Sequence, residues 1–489
     1  MVSKEFIKNS GIYIFVSSFS QGGMFLLWIL LAWWLRPSEI GLYTLALFIV
    51  DFFSTLSTFG LDFVITRFYY YYKKAGTSFI LSNIFIIFLF SSAIISLLFF
   101  FSAPLIPIVI PGLSNLLADN VFLFLAIIFT NSLANLTLVH YTTLKQASSY
   151  AKLQWFKITC FVLLSLIFAY NGFGIFGLFY ALLVSSLILV ILFIIRERAA
   201  LSMKLISGQT MKEIISYGAP LMLYSSSGIV SVYFSRILLD RYNDLSTLGV
   251  YTFFLTLSLQ INGGWGSFNK AWTPEVFSRF SNEEGNIRER IVSMVFLLSF
   301  AYMLVIALVI ISGEFLLFKL LFKQIYLEGR SIFYILLIAP LFTSIYTATY
   351  PLFYYEKETK RILGVSFFIH GINAFLTFFM IKFFSQTGAA ISFSTISMIT
   401  ALVYLLNFKN VAHIPSKIIT WTLFLTILMS LNIAIFLKTS SVFLFLLFIF
   451  LGAISAYKIG RLNHKLRRLF HFFTSLLKNP FTSNRIASP

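Results

Sequence analysis

Long runs of apolar residues, separated by short polar segments, occupy most of the 489-residue chain. Each run is about 20 residues long, the length an α-helix needs to cross a hydrocarbon core of roughly 30 Å. The pattern predicts fourteen membrane-spanning helices, called spans 1 to 14 in chain order. They lie near residues 11–35, 41–66, 79–101, 120–144, 153–171, 173–195, 214–239, 247–275, 291–312, 331–355, 362–384, 388–407, 418–437 and 442–459.

Lysine and arginine are distributed unequally between alternate loops. With the N-terminus in the cytoplasm, 27 of them fall on the cytoplasmic side and 7 on the other. Cytoplasmic loops typically carry such an excess, so we expect both termini in the cytoplasm. The segment after span 14 has apolar residues at helical spacing among basic ones, which predicts an amphipathic helix on the inner leaflet.

Two motifs recur in the second half of the chain. Ile40–Thr44 (IGLYT) is echoed 208 residues later by Leu248–Thr252 (LGVYT), and Lys4–Gly11 (KEFIKNSG) resembles Lys212–Gly218 (KEIISYG). The offset covers six spans, an even number, so the two halves have the same orientation in the membrane. Parallel repeats of this kind are related by an axis along the membrane normal and enclose a central cleft.

The repeat predicts an all-α polytopic membrane protein with two six-helix bundles around that cleft. The predicted units are an N-terminal bundle (1–195), a cytoplasmic linker (196–213), a C-terminal bundle (214–407), two additional spans (408–460) and a basic cytoplasmic tail (461–489).

Composition narrows the possible functions. Hydrophobic residues make up 59% of the chain and charged residues 11%, against about 25% charged in soluble domains. The net charge of +19 lies in short clusters between apolar runs, so we expect no nucleic-acid partner. Cys160 is the single cysteine, which excludes an intrachain disulfide.

No group of residues indicates catalysis. Gly172–Gly177 (GFGIFG) matches a dinucleotide-binding pattern but follows an apolar span, so it indicates a tight turn and a small-residue helix face. His140 and His370 have no partner at metal-ligand spacing. We therefore expect neither an enzyme, nor a metal, nor an organic cofactor.

Ionisable residues within spans are the candidates for function, because a charge at the bilayer centre costs roughly 2.5–3.5 kcal/mol on insertion scales. Asp51 lies near the middle of span 2. We expect it to face the cleft and either to bind a coupling H⁺ or Na⁺ or to form part of a gate. Arg236 lies toward the outer end of span 7, and Arg67, Lys157 and Lys270 near inner ends. For Arg67, Lys157 and Arg236 the alternative is a side chain that extends to the nearest membrane surface.

The repeat relates some of these residues to one another. At an offset of 208, Asp62 corresponds to Lys270 and Arg67 corresponds to Glu275. Equivalent positions in the two halves thus carry opposite charges and would approach each other across the cleft. We therefore expect spans 2 and 8 to line a polar path, with Asp62 and Glu275 as further gate or coupling residues.

The run LRPSEIGLYTLALFIVDFFSTLSTFGLDFVITRFY (Leu35–Tyr69) resembles the polysaccharide transporters of the multidrug/oligosaccharidyl-lipid/polysaccharide (MOP) flippase superfamily. Its supporting features are GxY after a short polar loop, FGL followed by an arginine at the end of the span, and the echo around Tyr251. These relatives are Wzx-type flippases for repeat units of O-antigen or capsule.

The resemblance implies a monomeric flippase in the bacterial inner membrane. Its cargo would be an undecaprenyl-diphosphate-linked oligosaccharide, with membrane lipids, a polysaccharide polymerase and chain-length proteins as further partners. Relatives hold the anionic headgroup with cationic residues in the cleft, a pattern that Arg67 fits. Lys157, Arg236 and Lys270 are added from their placement in spans.

Three alternatives stay open at the level of sequence. A drug/cation antiporter of the same superfamily would favour an acidic cleft. A lipid II flippase fits fourteen spans equally well. A membrane glycosyltransferase, polymerase or ligase usually has a large outside loop with catalytic groups, whereas the longest one here, near 313–330, is short and mostly apolar.

Overall fold

The computed structural model describes residues 4–71, 77–144, 146–198, 205–260, 309, 318, 324–343 and 359–412. Within these ranges the chain folds into helices that pack side by side. They are α1 (Lys4–Leu31), α2 (Pro37–Thr58), α3 (Leu61–Tyr71), α4 (Thr77–Ser102), α5 (Ile106–Val109), α6 (Ser114–Thr143), α7 (Ala147–Tyr170), α8 (Gly174–Glu197), α9 (Gly208–Tyr242), α10 (Leu245–Gln260), α11 (Gln324–Leu327), α12 (Arg330–Leu336) and α13 (Thr359–Ala412).

The predicted all-helical membrane fold is confirmed. Seven segments of the described chain are long and apolar enough to cross a membrane, and shorter apolar helices accompany them. The helix α13 combines spans 11 and 12, and its backbone departs from helical geometry at Ser385. Span 9 except for residue 309, spans 13 and 14, and the tail lie outside the described residues, so the count of fourteen and the domain limits stay predictions.

Helix ends follow local sequence signals. Pro37 occupies the first turn of α2, where a backbone N–H has no acceptor within the helix, so proline sacrifices no hydrogen bond there. Glu39 accepts the Arg36 amide N–H at 2.8 Å. The carboxylate of Asp244 accepts the Thr247 amide N–H at 2.6 Å at the start of α10. This hydrogen bond holds the pKa of Asp244, which lies between two spans, below its usual value.

Span 2 differs from the single helix that its apolar run predicts. It breaks at Phe59 and Gly60, whose φ angles are +52° and +71°, and continues as α3. Glycine suits this conformation because it has no Cβ. The break lies against α9, where a side chain at Gly60 would overlap the Gly218 carbonyl group.

The other helices keep the predicted order with shifted ends. The turn between spans 5 and 6 is as short as predicted, since α7 ends at Tyr170 and α8 begins at Gly174, with positive φ at Gly172 and Gly174. Residues 208–213 of the predicted linker form the first turns of α9. The α9 helix packs against α2, α3 and α13, so it joins the two halves of the chain.

The two halves meet where α2 and α10 begin, called the Pro37 end below. Gly41 and Gly249, which correspond in the repeat, lie at this contact. A side chain at Gly249 would overlap the Pro37 carbonyl group, and one at Gly41 would overlap the Leu245 carbonyl oxygen. The approach of backbone to backbone requires residues without a side chain.

Two hydrogen bonds support the same contact. The Gly112 amide N–H donates to Asp240 Oδ2 at 3.1 Å, and the Tyr326 hydroxyl donates to the Leu35 carbonyl at 3.4 Å. Each bond joins the first half of the chain to the second. The described halves are therefore in close contact at the Pro37 end.

Candidate functional site

Five polar side chains from four helices converge in the interior of the protein. They are called the midspan cluster and comprise Asp51 of α2, Asn131 of α6, Lys157 of α7, and Tyr233 and Arg236 of α9. The first three helices belong to the first half of the chain and α9 to the second. The cluster therefore lies at the interface between the halves.

Asp51 connects the two halves directly. The Tyr233 hydroxyl donates a hydrogen bond to Asp51 Oδ2 at 2.7 Å. The carboxylate also interacts electrostatically with Arg236 and with Lys157. One acidic side chain thus interacts electrostatically with two cations, one from each half.

Lys157 turns into the protein rather than toward the membrane surface. Its Nζ donates to Asn131 Oδ1 at 3.4 Å, and the side chain is partly buried. Because α7 begins at Ala147, Lys157 lies about 15 Å along the helix from that end. This hydrogen bond to another helix does not fit a side chain that reaches the membrane surface, and the position near the inner end of span 5 stays a prediction.

Arg236 is the most buried charged residue of the cluster, with 4% of its surface exposed. Its guanidinium lies over the Tyr233 ring at 4.2 Å from the centroid. Its Nε and Nη1 atoms are buried and have no hydrogen-bond partner among the described residues. A buried guanidinium with unused donors is chemically able to bind an oxyanion. Its burial does not fit the alternative of a side chain that extends outward.

The cluster lies away from the ends of its helices. Asp51 is about 21 Å from the start of α2, and Tyr233 is about 14 Å from the end of α9. These helices run in opposite directions, so both distances are measured from the Pro37 end. The distance given above for Lys157 is measured from the start of α7, at the opposite end of the molecule. We therefore expect all three positions inside a hydrocarbon core of roughly 30 Å.

Arg67 and Asp62 belong to a different region. Arg67 lies on α3, beyond the break at Phe59 and Gly60, and its exposed guanidinium is 4.3 Å from the centroid of the Tyr217 ring. The Oδ1 atom of Asp62 is buried and has no hydrogen-bond partner among the described residues. Lys270 and Glu275 lie outside the described residues, so their pairing with Asp62 and Arg67 stays a prediction.

Sequence reasoning missed Tyr233 and Asn131. Tyr233 is three residues before Arg236, a spacing that places both on one helix face, so the arginine was a signal for it. Asn131 had no comparable signal, because a neutral amide in a span is inexpensive and common at helix contacts. Within the described ranges, no group of three His, Cys, Asp or Glu side chains is placed to hold a metal ion.

Comparison with known proteins assigns the family. A sequence profile described as polysaccharide biosynthesis protein matches residues 30–329, more than half of the chain. The chain belongs to this family. The resemblance drawn from Leu35–Tyr69 to polysaccharide transporters is thereby confirmed. No curated protein sequence matches the chain.

Solved structures show that the chain has the same fold as several membrane transporters. The lipid II flippase MurJ in an inward closed conformation superposes with a TM-score of 0.69 at 15% identity, over 92% of this chain and 98% of MurJ. An inward-facing multidrug resistance MATE transporter of the MOP superfamily gives 0.61 at 16% identity, over 90% and 96%. The MATE transporter VcmN of Vibrio cholerae gives 0.58 at 12%, over 83% and 96%. At these identities the likeness concerns the fold alone.

Proposed function

We propose that this protein is a flippase that moves an undecaprenyl-diphosphate-linked oligosaccharide from the cytoplasmic to the periplasmic leaflet of the bacterial inner membrane by alternating access. The observation that carries the proposal is the midspan cluster, in which a buried guanidinium with unused donors and a second cation meet between the two halves. Family membership and the MOP fold support the same conclusion.

The cluster suits the part of such a cargo that cannot cross lipid unaided. A diphosphate with attached sugars must leave water, whereas the prenyl tail stays in hydrocarbon. Arg236 offers a planar fork of donors that matches phosphate oxygens, and Lys157 adds a compact charge from the first half. An inside-negative potential favours outward movement of an anionic headgroup by about 2.3 kcal/mol per charge per 100 mV.

Arg67 has a separate role in this proposal. It is exposed and lies near the predicted cytoplasmic end of span 2. An exposed cation there attracts an anionic headgroup from the cytoplasmic leaflet before it reaches the midspan cluster. The two positions define a path along span 2, from Arg67 on α3 to Asp51 on α2.

The test uses purified protein in liposomes that carry an undecaprenyl-diphosphate-linked oligosaccharide in both leaflets. A glycosidase added outside cleaves only the outer sugars unless the protein equilibrates the leaflets. Arg236→Ala should slow equilibration about 10- to 100-fold, because a charged hydrogen-bond partner contributes about 1.5–3 kcal/mol. Arg236→Lys should retain part of the rate, since the charge remains without the fork.

The matched control is Arg241→Ala, which removes an exposed arginine from the same helix and should leave the rate unchanged. Wild-type protein that gives no more cleavage than protein-free vesicles would overturn the proposed function. Uptake of a cationic dye in place of glycan movement would favour the antiporter alternative. Full activity of Arg236→Ala would remove Arg236 from the site.

A further inference from the structure

Asp51 poses a question that the proposed function leaves open, because a carboxylate beside two cations opposes the binding of an anionic cargo. It occupies the midspan cluster together with Lys157 and Arg236 and accepts the Tyr233 hydroxyl at 2.7 Å. A site built only to grip a diphosphate would contain the cations without it.

We propose that Asp51 is the resident counter-ion of the midspan cluster, which neutralises the cations while the site is empty and competes with the diphosphate when it arrives. This inference rests on the proposed function and assigns a regulatory residue to the same site. The competition sets how tightly the cargo is held, and therefore how readily it leaves on the far side of the membrane.

The charges of the cluster support this role. Lys157 and Arg236 are the two cations of the cluster and Asp51 is its acid. A diphosphate that bridges a lipid and a sugar carries about two negative charges at neutral pH. Two cations alone would match this charge and retain the cargo, whereas the third group leaves the complex one negative charge in excess. Weaker binding of the same headgroup in both access states permits release.

The hydrogen bonds support an exchange of partners rather than a fixed ion pair. The Lys157 ammonium donates a hydrogen bond to Asn131, a neutral acceptor. Arg236 has unused donors at Nε and Nη1, and Asp51 is held by a neutral hydroxyl from the second half. Each cation therefore keeps capacity for an incoming oxyanion, while the carboxylate balances charge through its electrostatic interaction with both.

Tyr233 is the positioning residue in this arrangement. Its hydroxyl stabilises the Asp51 carboxylate and its ring supports the Arg236 guanidinium. Replacing it with phenylalanine removes only the first of these contacts. Without the hydroxyl, the carboxylate depends more on the two cations and should compete more strongly with the headgroup.

The experiment measures both binding and turnover in the full-length protein. Undecaprenyl diphosphate in detergent micelles is the binding probe, and the glycosidase assay gives the flipping rate. Asp51→Asn keeps the size of the side chain and should tighten binding about tenfold or more, the scale of coupling between close charges. Its flipping rate should fall, because release becomes slower. A merely structural defect would weaken binding and turnover together.

Two further variants complete the test. Asp119→Asn, an exposed carboxylate on α6, should change neither quantity. Tyr233→Phe should weaken binding several-fold in the wild type and have little effect in the Asp51→Asn background, because the two residues act through one carboxylate.

The outcomes separate this inference from the proposed function. Wild-type protein that neither binds undecaprenyl diphosphate nor flips the lipid-linked glycan overturns the proposed function and the inference with it. Wild-type protein that does both, with binding by Asp51→Asn equal or weaker, overturns the inference alone. Tighter binding with slower flipping supports both.

Discussion

Replacing Gly249 with alanine should open the Pro37 end of the molecule. The new methyl group would overlap the Pro37 carbonyl group and lie 3.0 Å from its Cα atom. These are backbone atoms, which cannot rotate away as a side chain would. The variant can relieve the overlap only if α10 moves away from the start of α2.

The size of the effect follows from the type of contact. An extra methylene in a tightly packed place costs typically about 1–3 kcal/mol. Alanine is also a better helix former than glycine by about 1 kcal/mol, but α10 is helical in either arrangement, so this gain does not alter the balance between them. A penalty confined to the closed arrangement raises the ratio of open to closed molecules roughly 5- to 150-fold.

Distance measurement between spin labels can detect this shift. Arg36→Cys and Asn243→Cys place labels at exposed positions on the two halves beside the contact, in a Cys160→Ser background. Gly249→Ala should add a population with a longer label distance. Gly228→Ala is the control, because a methyl group there meets nothing within 4 Å.

The repeat offers a second way to test the same contact. Gly41→Ala should act in the same direction, because its methyl group would overlap the Leu245 carbonyl oxygen. An unchanged distance distribution in both Gly249→Ala and Gly41→Ala would show that the close approach does not hold this end closed.

Three further predictions concern topology, the gate and a helix start. Reporter fusions after Lys74 and Ser207 should both give cytoplasmic signals, and a periplasmic signal at Ser207 would contradict the arrangement of six spans per half. Asp62→Lys should hinder export and the double change with Lys270→Asp should recover it; a double variant no better than the singles would mean that these residues never meet. Asp244→Ala should destabilise the protein by about 1 kcal/mol at neutral pH, seen as a lower thermal unfolding temperature, and by less in acid. The lowered pKa of Asp244 means that its stabilising effect is lost once the carboxylate is protonated. An equal decrease in unfolding temperature at all pH values would contradict this.

The sequence predicts the helices well because hydrocarbon leaves little choice of backbone structure. The ends of the helices were harder to predict. Residues 208–213 were assigned to a linker because they are polar, yet polar residues continue a helix readily once it leaves the bilayer. The break at Phe59 and Gly60 was missed for the opposite reason, since the apolar run continues through it without interruption.

The candidate site was partly predictable for an energetic reason. Asp51, Lys157 and Arg236 were identified because charges within a span are expensive, and the structure brings these three together. Their arrangement was not predictable, since it depends on how α2, α7 and α9 pack. The contact of Lys157 with Asn131 was not predictable for the same reason, since it depends on how α7 packs against α6.

The meeting of Gly41 and Gly249 also bears on the origin of the fold. If a gene for one six-helix unit was duplicated, these two glycines descend from one residue, and before fusion they would have faced each other between identical subunits. A mutation at a self-facing residue of such a dimer enters the contact twice. Duplication ends this constraint and lets each copy vary alone. The first copy now has Asp51 where the second has Leu259. A dimer of identical subunits would have the same residue at both positions, so a single acid there requires two separate copies.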